Sequence, residues 1–483
     1  MKTHEPPTSV EIQERRRIQI ALLVIAVSIV AVAAYFYWSF HPNRPVDYAS
    51  IDDHFKYGSI GSEPPSGIPY WIFKVMPDMF PEKLPGGYAS LGLIEEPGRD
   101  LPIGFSKRRV IVDRVGLNCA VCHTGTVRET PQSKPVVILG MPANRLQLEN
   151  YIRFLTAVAL DRRFTIDNVM TAIEARTTLG PIEKIIYRTS IPLTREALIE
   201  QGERLAFINK RPDWGPGRVD TFNPYKAIQF HWSMNHDDSV GTSDYPSIWN
   251  QRPREGMQLH WDGNNTSVEE RNKSAALGAG VTPASIDLDR LKRIEDWLLD
   301  FKAPKYPYAI NDSLANQGEA LYKQHCASCH DFGSSRVGQV TPIEEIGTDP
   351  HRLDSYTYVL SENQNTLYAG YPWRFSHFRK TNGYANMPLD GIWLRAPYLH
   401  NGSVPTLRDL LESPDQRPKE FYRGYDVFDQ KNVGFISNIA AEGNQQFFRF
   451  DTALPGNSNA GHVYGTNLSP QEKDAIVEYM KRF

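Results

Sequence analysis

Cys-x-x-Cys-His occurs twice in this chain, as Cys119-Ala120-Val121-Cys122-His123 and Cys326-Ala327-Ser328-Cys329-His330, and the two copies use all 4 cysteines. No thiol is left for a structural disulfide. A redox pair does not require the following histidine, and a zinc site needs four clustered ligands where each motif offers three. The pattern is that of c-type haem attachment: two thiols form thioethers to the porphyrin and the adjacent histidine ligates the iron. The expected cofactors are two covalently held haems c, bound by Cys119, Cys122, Cys326 and Cys329, with His123 and His330 as proximal metal ligands.

Residues 18–40 carry no charge and are rich in Ile, Leu, Val and Ala, long enough to cross a bilayer once. Arg15-Arg16-Arg17 precede the stretch and Tyr35-Phe36-Tyr37-Trp38 end it, which suits a cytoplasmic tail and an aromatic belt at the far interface. Ala31-Val32-Ala33-Ala34 resembles a cleavage site, so a signal peptide is the rival reading; the length of the apolar run favours an uncleaved anchor. Either way the body is delivered outside the cytoplasm. The expectation is a bacterial inner-membrane protein with its body in the periplasm, where c-type haem is attached. Lys plus Arg total 53 against 56 for Asp plus Glu, a balance with no footprint for nucleic acid.

The expected division is a tail over 1–17, the anchor over 18–40, a first haem domain over 41–302, a linker over 303–313 and a second cytochrome domain over 314–483. Residues 41–70 read as a tether, and Pro and Gly predict loops and turns on to Pro102. Arg109–Val112 reads as a strand; Leu146–Leu160, Arg195–Phe207 and Asp287–Phe301 read as helices. The second half begins with a short helix, Ala315–Tyr322, ahead of Cys326. It ends with one capped by Ser469 and Pro470, and no strand alternation stands out between them. Its helix-motif-helix order resembles a class I cytochrome c fold. The segments Leu259–Glu270 and Tyr398–Asp409 echo each other: each has a histidine, a polar Gly turn, then an acidic helix start. Motif and echo repeat in one order, which suggests duplication. The predicted fold is mainly α, two class I cytochrome c-like domains with long loops behind one transmembrane helix.

Two such domains, with Ala396-Pro397-Tyr398-Leu399-His400-Asn401-Gly402-Ser403, resemble the bacterial dihaem cytochrome c peroxidase superfamily. The segments 215–223, 245–250 and 456–465 are most similar to its branch of dihaem rubber oxygenases. The resemblance implies that the second-domain haem relays electrons and the first-domain haem reacts with peroxide or oxygen. It also implies an electron donor or acceptor protein, or a quinol-linked chain, as partner.

Distal ligands divide the two roles, because a second strong ligand favours electron transfer and an empty position admits small molecules. For the second haem His462 is preferred, with His400 and Met387 as alternatives. For the first, no histidine occurs between His123 and His231, and no Trp between Trp71 and Trp214. Peroxidases of the superfamily place a releasable histidine and an inter-haem Trp there, so both departures argue against a standard peroxide cycle. An open site is expected, with Met141 as a substitute ligand. Its chemistry is assigned to His231, Trp232 and His236, near Tyr245–Trp249, with Glu269 and Glu270 as further acid-base candidates. Trp232 and Trp261 could carry electrons between haems. Tyr368, Tyr371, Trp373, Phe375 and Phe378 are expected to wall the second haem, and Asn264, Asn265, Asn401 and Gly402 could offer oxygens to calcium. The readings carried forward are a peroxidase- or oxygenase-like oxidoreductase, a pure electron-transfer cytochrome with both haems six-coordinate, and a maturation enzyme acting on a partner protein at a distance.

Overall fold

Ile111 stands at the tip of a tight turn with φ 69°, and it splits the predicted strand Arg109–Val112 into the ends of two. In a computed structural model describing residues 9–40 and 44–483, the antiparallel hairpin pairs Phe105–Val110 with Val112–Leu117. Arg44–Pro45 and Ile68–Pro69 add a short strand to either edge. The first eight residues of the expected tail and 41–43 lie outside the described residues. So do the side chains of Tyr35, Phe36 and Trp38 in the expected aromatic belt. Tyr37 is exposed.

The first helix, α1 (Ser9–Phe40), contains a candidate span, Ile12–Ala34, and none of its most apolar stretch is buried against the body. This apolar helix is suited to a single-pass anchor or a signal sequence. The expected tether is not one. Residues 51–57 form α2 (Ile51–Tyr57), with Phe55 and Tyr57 buried. Tyr70–Met79 is helical where loops were expected, despite Pro77. Its Ile72, Phe73, Val75 and Met76 are buried, and this apolar face outweighs the Pro and Gly around it.

Three expected helices are present with shifted ends: α3 (Leu148–Leu160), α4 (Pro181–Arg204), which runs through Pro192, and, after α5 (Val268–Gly278), α6 (Leu288–Asp300). The Asp287 side chain caps α6 by accepting from Arg290 N. In the second half, α7 (Asp312–His325) feeds Cys326 and packs on the terminal α8 (Pro470–Met480), whose Ser469–Glu472 capping box fixes its start. The region between them is not strand-free. Glu420–Arg423 pairs with Phe448–Asp451, and Val340–Pro342 with Gly383–Ala385. Helix makes up 42% and strand 12%, so the fold is helix-led, with one four-stranded sheet and small two-stranded ladders.

One apolar core crosses the expected domain boundary. Val127, Met141 and Trp249 pack with Trp393, Tyr398, Phe428 and Ile476. The expected linker is part of it: Tyr306 is buried against Trp393 and Phe428. Polar ties reinforce the join. Thr126 Oγ1 and Arg128 Nε both donate to Asp426, and Arg423 grips Asp244 with both carboxylate oxygens within 3.0 Å.

The internal echo survives at the level of the turn. Leu259 bridges Asn265 and Tyr398 bridges Val404, closing two loops of equal length. Positive φ falls at matching places, His260 (64°) with Leu399 (68°), and Gly263 (65°) with Gly402 (63°). Ser267 and Thr406 then cap the next helix alike. In this register Trp261, not His260, stands where His400 stands.

Candidate functional site

The residue after Cys122 and the residue after Cys329 are held in the same way. His123 Nδ1 lies 2.9 Å from Pro246 O, and His330 Nδ1 lies 2.7 Å from Met387 O. An imidazole that donates Nδ1–H to a carbonyl keeps Nε2 unprotonated and aimed outward, the arrangement a metal-binding histidine needs. Each carbonyl sits beside a proline, in Tyr245-Pro246 and Met387-Pro388, well downstream of its motif. Burial keeps both rings neutral: His123 is pushed down to about 4 and His330 is lowered.

The thiols are not poised as thiolates for metal or redox use. The four cysteines form no disulfide, and burial raises Cys119, Cys122 and Cys326 to about 12, far from a reactive thiolate. Both motifs open onto one continuous cavity, lined by His123 and Tyr245 at one end and by His330, Met387 and His462 at the other.

His462 faces His330 across that cavity, with ring centroids 6.3 Å apart. Two axial bonds of about 2 Å and two ring half-widths of about 1 Å place paired imidazole ligands roughly 6 Å apart, so the spacing fits one metal ion between them. His462 sits at φ 47° behind Gly461 at φ 74°, and its N–H donates to Ile346 O. Arg417, buried, holds the loop: Nη1 donates to the carbonyls of Asn459 (2.6 Å) and Gly461 (2.8 Å), and Nη2 to that of His462 (3.1 Å). Burial pushes the His462 ring down to about 3, so it is neutral and able to ligate. His123 has no ring facing it in this way among the described residues.

Of the alternatives to His462, Met387 lines the cavity, and it is its backbone carbonyl that meets His330. His400 is stacked on Tyr384 with centroids 4.0 Å apart, and its Nε2 is 3.0 Å from Tyr384 Oη.

The residues expected to carry chemistry at the first motif do not line the cavity. His231 and His236 are exposed; His231 contacts the Arg204 guanidinium, and Trp232 packs on Phe230. Glu269 pairs with Lys273, and Glu270 is taken up by Ser376, His377 and Asn265. Met141 is buried in the core with Cε toward Gly125, outside the cavity lining. The cavity is bounded instead by Phe222, Tyr225, Tyr245, Trp249, His260 and Phe378. His260 Nδ1 lies 2.6 Å from Asn264 Oδ1, and burial lowers its ring to about 4, leaving it neutral. The aromatic group around Tyr368 packs on Phe222 and Tyr225 of the first half, with Phe378 on His260, rather than around the second motif. Trp261 lines the cavity and donates Nε1–H to Asp244 O at 2.8 Å.

The asparagines considered for calcium are used within the protein. Asn264 Oδ1 meets His260 and Asn265 Oδ1 caps Ser267 N; Asn401 donates Nδ2 to the carbonyls of Gly456 and Ser458, and its buried Oδ1 has no hydrogen-bond partner. No group of three or more His, Cys, Asp or Glu among the described residues is gathered for a metal.

Tyr245 and Trp249, in the segment expected beside the first motif, line the cavity. Sequence reasoning missed the carbonyls of Pro246 and Met387, the Arg417 clamp, and Phe222 and Tyr225 of the wall. Backbone acceptors leave no trace in a sequence.

Comparison with known proteins agrees with this geometry. Residues 383–423 match the family model described as RoxA-like, cytochrome c-like. That stretch includes Met387, Arg395, His400 and Arg417. The chain is similar to two proteins of Sinorhizobium fredii. One, uncharacterized protein y4iJ, is 26% identical over 515 aligned residues, covering 81% of this chain and 83% of the relative. The other, uncharacterized protein y4iM, is 32% identical over 282, covering 50% of this chain and 64% of the relative. The match at 383–423 links the chain to RoxA-like cytochromes c, and with that to a covalently bound haem.

Proposed function

We propose that this is a membrane-tethered dihaem cytochrome c, facing the periplasm and related to the dihaem peroxidase superfamily. In this reading the second motif serves electron relay and the first serves redox chemistry on a small molecule. Haem supplies one-electron transfer where both axial positions are filled and small-molecule chemistry where one is open. The observation that carries the assignment is the asymmetry of the histidines: His330 is met by His462 at 6.3 Å, and His123 has no such partner among the described residues.

The wall near the first motif is largely aromatic and suits oxygenase-like chemistry, with one carboxyl, Glu295, that would serve a peroxidase-like reaction. Peroxide cleavage calls for a basic group able to move a proton between its oxygens. Glu269, Glu270, His231 and His236 lie outside the cavity lining and His260 is a weak base, which leaves Glu295, a lining carboxyl near Cys119 raised by burial to about 7, as the acid-base group at this end. Phe222, Tyr225, Trp249 and Phe378 instead exclude water and offer an apolar surface, suited to holding an organic substrate. Trp261, hydrogen-bonded to Asp244 on the cavity wall, is the candidate for electron passage between the ends of the cavity.

Carbon monoxide titration of the reduced protein tests the division of roles. One equivalent bound per chain is expected. No binding would favour a pure electron-transfer cytochrome, and two equivalents would remove the relay assignment from the second site.

A further inference from the structure

The cavity wall between the two motifs carries more positive charge than its acids balance. Arg254, Arg271 and Arg395 all line it. The Nη2 atoms of Arg254 and Arg395 converge on a single oxygen, Asp390 Oδ1, the latter at 3.0 Å. Their remaining bonds go to neutral carbonyls, Asn250 O for Arg254 and Pro388 O for Arg395. Arg395 Nε is buried without a hydrogen-bond partner. Arg271 is buried, its guanidinium meets the neutral Asn272 Oδ1 at 3.1 Å, and it joins no ion pair among the described residues.

The three are electrostatic neighbours. Arg271 lies within electrostatic reach of His123 and of Arg254, and Arg395 within reach of His330 and of Arg254. Three guanidinium charges meet the Asp390 carboxylate and the nearby Glu295, leaving a surplus of two positive charges when Glu295 is neutral and one when it is ionised. Glu295 is the other acid near Arg271; no ion pair joins them, and its Oε1 has no partner. The remaining arginines of the wall each have a carboxylate of their own, Arg336 with Glu345 and Arg352 with Asp262. Guanidinium groups buried without counter-charge are costly, and their fork geometry suits bidentate carboxylate binding.

We propose that Arg254, Arg271 and Arg395 form a shared carboxylate-binding cluster on which the acid side chains of the two tetrapyrroles converge. This rests on the dihaem reading above. The carboxylates balance the surplus charge, and the cluster couples the two redox sites through a low-dielectric wall. Cations here favour the reduced state of either site, with Arg271 acting mainly on the first, Arg395 mainly on the second and Arg254 on both.

The thioethers hold the haem whether or not its carboxylates are anchored, so haem content and anchoring can be read separately. The test uses the full-length holoprotein and Arg254→Gln, Arg271→Gln and Arg395→Gln, with Arg→Lys at each position. Haem content is read by mass, midpoint potentials by spectroelectrochemistry and propionate bending bands by resonance Raman. Each Gln variant is expected to keep two haems. Each should lower the potential of the site or sites nearest it by the equivalent of a tenfold change in the reduction equilibrium, about 59 mV for one electron. The Lys variants should retain most of the potential but shift the Raman bands. Two haems with unchanged potentials and bands in all three Gln variants would overturn the cluster alone. A mass without two haems would overturn the dihaem reading beneath it. Potentials of the unaltered protein that move when succinate is added would show that the carboxylate comes from solution, which also overturns the proposal. If the Gln variants fail to fold, unchanged bands in the Lys variants decide against it.

Discussion

His462 holds a backbone conformation that a histidine adopts only under constraint. A side chain with Cβ at φ 47° costs about 1–3 kcal/mol, and the ring's Nδ1 is buried without an acceptor. Both proximal histidines, by contrast, have a carbonyl at Nδ1. His462 is therefore aimed by its loop rather than by a hydrogen bond to its ring. His462→Ala is expected to convert the second site from low to high spin, with added imidazole restoring the low-spin spectrum; an unchanged spectrum would return the role to Met387 or His400. His260 gives a pH dependence. At neutral pH its ring is uncharged in folded and unfolded chains alike and affects stability little. Below the ordinary value of 6.5 only the unfolded chain takes up the proton, until about pH 4, so stability falls as pH falls through that window. The loss is at most about 1.4 kcal/mol per pH unit. Urea unfolding at pH 7 and pH 5 should show a smaller loss in His260→Gln than in the parent; equal losses would contradict the assignment. At this scale the candidate covalent and proximal residues were legible in the sequence, because adjacency defines the motif. It misdirected attention to His231 and His236, which sit among aromatic neighbours in sequence but on the surface in space.

Elements set these residues in place through contacts between segments far apart in the chain. Arg417 ties the His462 loop by side-chain bonds to five carbonyls, those of Leu410, Glu412, Asn459, Gly461 and His462. Arg417→Gln strands several of these buried acceptors and should destabilise the protein by about 2–4 kcal/mol. It should also give a mixed-spin spectrum at the second site, both effects partly recovered by Arg417→Lys. Thermal unfolding with the visible spectrum checks this; a lowered Tm with an intact low-spin spectrum would make Arg417 structural only. The crossing of α7 and α8 depends on Gly318, where an added Cβ would lie 1.9 Å from Ala475 O. Gly318→Ala is expected to cost about 1–3 kcal/mol and to lower Tm, measured by calorimetry on the holoprotein. Amphipathic helices such as α6 were legible because their spacing is local. The helix Tyr70–Met79 and α2 were hidden because Pro and Gly around them mark turns. Their burial comes from packing that no local pattern records.

Across the whole molecule, two similar motifs share one cavity, and an apolar core crosses between the halves that carry them. The predicted boundary near residue 303 was drawn from two prolines, yet Tyr306 packs into the core that joins Trp249 to Trp393. The repeated turn was readable as a short echo. Its true register, with Trp261 opposite His400, required the bridges and the positive φ angles of both copies. What distinguishes the two ends of the cavity is the histidine pair at one and the aromatic wall at the other. Electron paramagnetic resonance of the oxidised holoprotein, with and without cyanide, tests that difference most directly. One low-spin signal that ignores cyanide and one high-spin signal that converts to low spin are predicted. Two low-spin signals that both ignore cyanide would contradict a working site at the first motif.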